Sequence, residues 1–199
     1  MTICMSDIFC VTNRSLCKED FLARIEKIAQ ANPSGIILRE KNLSERDYKA
    51  LAENVLSICK AYDTKIIIHS YYNAAKELGC RSLHMPLPLL REMSDRGYFT
   101  MLGASCHSIE EAKEAERLDC SYIVAGHIFD TDCKKDLPGR GLEFLKNICD
   151  SVSIPVFAIG GIGKNNISDV LKSGAKGACV MSSAMLCENP SEYLHQLMR

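Results

Sequence analysis

The sequence lacks both a strong net charge and a long apolar run. Its 24 Lys and Arg residues balance 25 Asp and Glu residues, which leaves a net charge of −1 at pH 7. The basic residues are scattered, so the chain offers no basic face for nucleic acid and no polybasic membrane patch. No segment approaches the roughly 18 apolar residues of a spanning helix, and the first residues lack the pattern of a signal peptide. We therefore expect a cytoplasmic protein without nucleic-acid or membrane partners.

Cysteine pairs of the kind that bind zinc are also lacking. The 11 cysteines are odd in number and dispersed, and no two of them have CxxC spacing. Without a secretion signal, this usage favours reduced thiols that act as small apolar residues. The composition is otherwise that of an ordinary globular protein, with 47% hydrophobic and 25% charged residues. A chain of 199 residues is long enough to bury the core of one domain.

Short apolar runs alternate with longer segments of helical spacing, which is typical of a buried parallel sheet with return helices. Eight such pairs predict an α/β fold, a single-domain (β/α)8 TIM barrel over residues 1–199, because eight right-handed crossovers bring the last strand beside the first. An open doubly wound sheet is the alternative. Helix starts are indicated at Ser44, at Ser108 and at Asn189, which precedes a proline. The predicted strands are 8–12, 35–40, 65–69, 82–86, 101–106, 122–128, 155–161 and 177–183.

Two loops near the end of the chain suit a phosphate group. Gly160 and Gly161 follow strand 7, and Met181 and Ser182 follow the apolar start of strand 8. Glycines let backbone N–H groups approach an anion, and this end of a barrel often binds phosphate. The alternative is that the glycines only make a tight turn. The second loop favours the phosphate interpretation.

Basic residues follow strand 2. Arg39 and Lys41 are two residues apart, so on an extended strand end they point to one side and Glu40 to the other. The pair could bind a carboxylate or a second phosphate. A solvated strand end with a helix-capping ion pair explains the pattern equally well.

The loop after strand 6 concentrates reactive side chains. His127 ends a strongly apolar strand, where a neutral imidazole can accept and donate a proton near neutral pH. Cys133 could be a nucleophile, but only Lys134, Lys135 and His127 lie near it in sequence, which favours an inert thiol. His69, after strand 3, is a candidate substrate-binding residue. Both it and His84 could equally be core or rim residues of the barrel. No metal or other cofactor is expected, because the strand ends carry few acidic side chains.

Five segments resemble the thiamine phosphate synthase superfamily, over nearly the whole chain. Within it, residues 126–135 followed by Gly139-Arg140-Gly141 look like the TenI branch, the thiazole tautomerases. The five segments are Leu38-Arg39-Glu40-Lys41, Gly103-Ala104-Ser105-Cys106-His107-Ser108, residues 126–135, Ala158-Ile159-Gly160-Gly161-Ile162 and Val180-Met181-Ser182-Ser183.

The resemblance implies departures from the synthase pattern. Synthases have a proline at His127, an Asn-Asp pair at His69-Ser70, and a magnesium-binding Asp near Leu89. Losing these carboxylates removes the means of binding the metal that neutralises a departing pyrophosphate. The positions that match the pyrophosphate-binding residues of the synthases are Arg39, Lys41, Ser105 and Lys134.

We therefore expect a thiazole tautomerase without a cofactor, an isomerase that aromatises a carboxythiazole phosphate by proton transfer. The resemblance implies that His127 transfers the proton and that Thr131 and Cys133 contact the thiazole. It also implies that Gly161, Met181 and Ser182 bind the phosphate. One alternative is a thiamine phosphate synthase, which couples a thiazole phosphate to an aminopyrimidine diphosphate. Another is a regulatory or ligand-sensing barrel without catalysis. A homodimer is compatible with the sequence, which does not determine the oligomeric state.

Overall fold

A computed structural model describes residues 7–131 and 137–198. Eight strands form a closed barrel in sequence order: β1 Asp7–Val11, β2 Gly35–Leu38, β3 Ile66–His69, β4 Ser82–Pro86, β5 Met101–Cys106, β6 Tyr122–Gly126, β7 Val156–Ile159 and β8 Gly177–Val180. The described helices are α1 Phe21–Gln30, α2 Glu45–Ala61, α3 Tyr72–Glu77, α4 Leu87–Glu92, α5 Ile109–Arg117, α6 Gly141–Cys149, α7 Ile167–Lys172, α8 Ser182–Leu186 and α9 Pro190–Met198. Short 3-10 turns lie at Arg14–Leu16 and Arg96–Tyr98.

The strands are continuous apolar runs because both of their faces are covered. β2 and β3 are buried at every position, and they pair in parallel with Ile36 opposite Ile66. A run of branched aliphatic residues suits such a strand, because each side chain packs on a pleated surface without exposure to water. The predicted (β/α)8 barrel is confirmed, and the open-sheet alternative is wrong.

Local capping explains where the helices begin. The Ser44 hydroxyl accepts a hydrogen bond from the backbone N–H of Asp47 at 3.1 Å. The Ser108 hydroxyl does the same for Glu111, also at 3.1 Å. Each bond satisfies a backbone donor that a first helical turn leaves open. Both predicted helix starts are confirmed, as is the start of α9 at Pro190.

The predictions for β2, β6, β7 and β8 run two or more residues too far at the carboxyl end, whereas β3, β4 and β5 end where predicted. β2 stops at Leu38, so Arg39 and Lys41 do not lie on an extended strand end. β7 stops at Ile159, because Gly160 and Gly161 have φ angles of 104° and 64°, outside the strand region. β6 likewise ends at Gly126, before His127. β8 ends at Val180, and Ser182 instead begins α8.

The described chain divides into two compact units. One contains the residues up to Leu83 and those from Val180 onward, and the other runs from His84 to Cys179. The prediction that residues 1–199 form one domain stays a prediction. None of the described helices combines the length and apolar character needed to cross a bilayer.

Candidate active site

A buried carboxylate organises the loops that follow β1 and β2. Glu40 is only 8% exposed. It accepts hydrogen bonds from the Thr12 hydroxyl at 2.7 Å and from the backbone N–H of Arg14 at 3.0 and 3.1 Å. The Thr12 hydroxyl oxygen in turn accepts from the backbone N–H of Arg39 at 2.9 Å. Glu40 therefore points inward and joins the two loops, while Lys41 is exposed.

These loops enclose a pocket of about 460 Å³ with three basic side chains, Arg14, Arg39 and Lys41, in its lining. Among the described residues that line it, Glu40 is the only acidic one, and the donors of the β1 loop already engage its carboxylate. The pocket thus suits an anion rich in oxygen acceptors, such as a phosphate or diphosphate. Sequence reasoning identified Arg39 and Lys41 but missed Arg14, whose place three residues after β1 is the signal that could have revealed it.

Two stacked tyrosines hold the outer part of the β2 loop. The rings of Tyr48 and Tyr71 lie 3.9 Å apart between centroids. Tyr48 donates to the carbonyl of Leu38 at 2.6 Å and accepts from the backbone N–H of His69 at 3.2 Å. Tyr71 donates to the carbonyl of Leu43 at 2.6 Å. Burial raises the pKa of Tyr48 well above its usual range, so its phenol stays a neutral donor.

The residues around β3 do not fit the magnesium that the family resemblance implies. His69 is 4% exposed, and its Nδ1 atom lies 2.7 Å from the Ser70 hydroxyl. Neither side chain is a carboxylate, and Leu89 has no ligating atom. Across residues 7–131 and 137–198, no three His, Cys, Asp or Glu side chains converge as a metal site. Since magnesium prefers oxygen ligands with at least one carboxylate, the described side chains at His69, Ser70 and Leu89 do not match the ion.

Ser105, near the end of β5, belongs to a buried polar chain in the unit from His84 to Cys179. Its hydroxyl lies 2.9 Å from Nε2 of His84, and Nδ1 of that ring lies 3.0 Å from the Tyr122 hydroxyl. Desolvation lowers the pKa of His84 to about 3, so the ring is neutral at physiological pH. His84 is a core residue and not a rim residue. The available signal was its place in the middle of a strand of a parallel sheet, which is buried on both faces.

The loop after β6 packs tightly against the two glycines after β7. His127 is 6% exposed, and its Nε2–H donates to the carbonyl of Leu137 at 3.1 Å. Its Nδ1 atom is buried and has no hydrogen-bond partner within the described part of the chain. A Cβ atom on Gly160 would lie 2.4 Å from Cβ of His127, and one on Gly161 would lie 2.6 Å from the carbonyl oxygen of Asp130. Both glycines therefore have a packing role apart from any phosphate.

The remaining predicted site residues divide into three groups. Thr131 is half-buried at the end of the described loop. Met181 and Ser182 are half-buried where α8 begins, and the phosphate role assigned to them stays a prediction. Cys133 and Lys134 lie outside the described residues.

His107, directly after β5, holds the neighbouring loops. Its Nδ1–H donates to the carbonyl of Gly126 at 2.9 Å. The guanidinium of Arg140 donates to the backbone carbonyl of His107 and lies 4.9 Å from the centre of the Phe144 ring. These bonds fix the start and the end of the loop that carries His127.

Comparisons with known proteins agree on the family. The family described as thiamine monophosphate synthase matches residues 8–184. A thiamine-phosphate synthase of Clostridium acetobutylicum is 35% identical over 182 residues, covering 89% of this chain and 86% of that protein. A solved thiamine phosphate pyrophosphorylase of Pyrococcus furiosus superposes with a TM-score of 0.82 at 28% identity, covering 96% of this chain and 93% of that one. A 3-hexulose-6-phosphate synthase, at 14% identity and a TM-score of 0.71, shares the fold.

These relatives overturn the expected thiazole tautomerase and isomerase activity. Relatives at 30% to 35% identity, from Clostridium, Fusobacterium and Pyrococcus, are named thiamine-phosphate synthase. The expectation rested on residues 126–141 and on the departures from the synthase pattern at His127, His69-Ser70 and Leu89, and the names of these relatives outweigh both. Without that reaction, the reason for assigning proton transfer to His127 is gone. The chain belongs to the thiamine monophosphate synthase family.

Proposed function

We propose that this protein is a thiamine-phosphate synthase, a transferase that joins an aminopyrimidine diphosphate to a thiazole phosphate and releases pyrophosphate. Similarity to proteins of that name over about nine-tenths of the chain carries the proposal. The pocket of Arg14, Arg39 and Lys41 supports it, because the leaving diphosphate needs positive charge and hydrogen-bond donors.

The role of the pocket is electrostatic. Negative charge grows on the diphosphate as its bond to the pyrimidine methylene carbon breaks, and the thiazole nitrogen forms the new bond to that carbon. Fixed cations aimed at this charge stabilise the transition state more than the ground state. Glu40 holds the backbone of both cation-bearing loops, so the cations need little reorganisation during the reaction. The described side chains at His69, Ser70 and Leu89 do not match a magnesium ion, so in this proposal the positive charge comes from the basic side chains.

A pyrophosphate-release assay with both substrates tests the proposal. We expect release that requires the thiazole phosphate and that persists when a chelator replaces magnesium. Arg14→Ala should lower kcat/KM by about 10²-fold, the cost typical of losing one charge-stabilising donor. Arg46→Ala removes an exposed arginine outside the pocket lining and should leave kcat/KM unchanged. No release, with or without magnesium, would overturn the proposal.

A second candidate is a ligand-sensing barrel that binds the thiazole phosphate without turnover. The donor set around His69, which departs from the synthase pattern, favours it. Calorimetry separates the two functions, because a sensor would bind the thiazole phosphate yet release no pyrophosphate in the assay above.

A further inference from the structure

Three polar groups form a chain inside the unit from His84 to Cys179. The Tyr122 hydroxyl, the His84 ring and the Ser105 hydroxyl follow one another at 3.0 Å and 2.9 Å. Tyr122 and His84 are 2% and 3% exposed, whereas Ser105 is half-buried. This series of hydrogen bonds therefore begins in the core, at Tyr122, and ends at Ser105, which a ligand can reach.

The glycine two residues before Ser105 makes room for this arrangement. A Cβ atom on Gly103 would lie 2.1 Å from the Tyr122 ring, so no other residue could stand there without displacing the phenol. The Tyr122 ring also packs edge-on against Phe157, with 5.8 Å between centroids. The phenol is held in place by packing as well as by its contact with His84.

The chemistry of the three groups sets the direction of the hydrogen bonds. A neutral imidazole has one N–H donor and one acceptor nitrogen. A phenol is a stronger acid than an aliphatic alcohol, so the Tyr122 hydroxyl is the better donor to the acceptor nitrogen, Nδ1. The proton then resides on Nε2, which donates to the Ser105 oxygen. Ser105 keeps its own O–H to donate elsewhere.

We propose that His84, oriented by Tyr122, is a positioning residue that makes Ser105 a fixed hydrogen-bond donor to an anionic oxygen of the substrate. Ser105 would otherwise be free to rotate its O–H toward the ring and present a lone pair to the anion, which repels it. Desolvation lowers the pKa of His84, which keeps the ring in the neutral form that this arrangement needs. The identity of the anion as a diphosphate rests on the proposed synthase function.

Binding of inorganic pyrophosphate, measured by calorimetry, tests the positioning role without requiring turnover. Ser105→Ala and His84→Leu should each weaken binding by about tenfold or more, the value of one hydrogen bond to a charged group. His84→Gln should recover most of the affinity, because its amide N–H can donate to Ser105 in place of Nε2. Ser57→Ala, an exposed serine on α2, is the control and should bind like the parent protein.

Nitrogen-15 NMR of the ring reads the tautomer directly and covers the case in which His84→Leu does not fold. We expect a proton on Nε2 of His84 in the parent protein and a shift toward protonated Nδ1 in Tyr122→Phe. A proton on Nδ1 in the parent protein, or unchanged pyrophosphate affinity in a folded His84→Leu variant, overturns the inference. If Nε2 carries the proton and His84→Leu weakens pyrophosphate binding, but the pyrophosphate-release assay fails, only the synthase function is overturned.

Discussion

Acid should destabilise the protein through His84 well before its carboxylates titrate. Burial lowers the pKa of this imidazole from 6.5 to about 3. As pH falls below about 6.5, the unfolded chain binds a proton at this position and the folded chain does not. The unfolded state then carries more bound protons, so the free energy of unfolding falls with falling pH, and this continues until the folded ring protonates near pH 3.

The expected loss is about 2 kcal/mol between roughly pH 7.5 and pH 5, from a slope that approaches 1.4 kcal/mol per pH unit. The window stops at pH 5 because Glu19 and Glu114, whose pKa values are lowered by ion pairs, add to the slope in stronger acid.

Urea unfolding of the parent protein and of His84→Gln across this window measures the effect. The free energy of unfolding of the parent protein, relative to that of His84→Gln, should fall by about 2 kcal/mol over this window. The reason is that the variant has no imidazole to protonate at this position. His195→Gln, on the exposed side of α9, is the comparison for the loss of any histidine. Stability curves for the parent and His84→Gln that stay parallel would refute the reasoning.

Three further outcomes follow from packing and burial. Gly103→Ala should lower the free energy of unfolding by about 1–3 kcal/mol, because the new methyl group meets the Tyr122 ring. A methyl group at Gly97 would have no atom within 4 Å, so Gly97→Ala should cost far less. Equal thermal midpoints of the two variants would contradict this. Glu40→Ala should lower the free energy of unfolding by about 3 kcal/mol, since it leaves the donors of the β1 loop without their buried charged acceptor. Urea unfolding measures this, and a decrease no larger than that of a surface substitution would contradict the role of Glu40 in joining the two loops. Burial raises the pKa of the Cys106 thiol to about 12, so iodoacetamide near pH 8 should modify it only after unfolding; mass spectrometry showing rapid labelling of the folded protein would disprove its inertness.

The barrel could be predicted from the sequence because its signal is local and repeated. Most strands are buried on both faces, so most are short apolar runs that can be recognised without knowledge of their partner strands. Strand ends were harder to predict. Gly160 and Ser182 extend apolar segments in the sequence, but a φ of 104° and the start of a helix end the strands before them.

The site was predictable only where a charged residue follows a strand directly. Arg39 met that condition and Lys41 lies two residues further on, and both line the pocket. The partners of the buried groups could not be predicted in this way. Glu40 binds a hydroxyl 28 residues away, and His84 contacts hydroxyls 21 and 38 residues away. Such contacts depend on strand register, which a single sequence does not specify. The function was predicted wrongly because the departures at His69-Ser70 and Leu89 were taken as the loss of an activity, whereas relatives at 30% to 35% identity are named thiamine-phosphate synthase.

In the proposed synthase, basic side chains supply the positive charge that a bound cation supplies in a metal-dependent site. In a metal-dependent site, carboxylates are needed to hold the cation, and the cation then neutralises the diphosphate. The pocket of this chain brings positive charge from Arg14, Arg39 and Lys41, and a free carboxylate in its lining would compete with the diphosphate for them. Glu40 does not compete, because its oxygens already accept hydrogen bonds from the Thr12 hydroxyl and the main chain of Arg14. The loss of acidic residues at His69-Ser70 and Leu89 is therefore consistent with transfer chemistry in which the anion is bound by side chains.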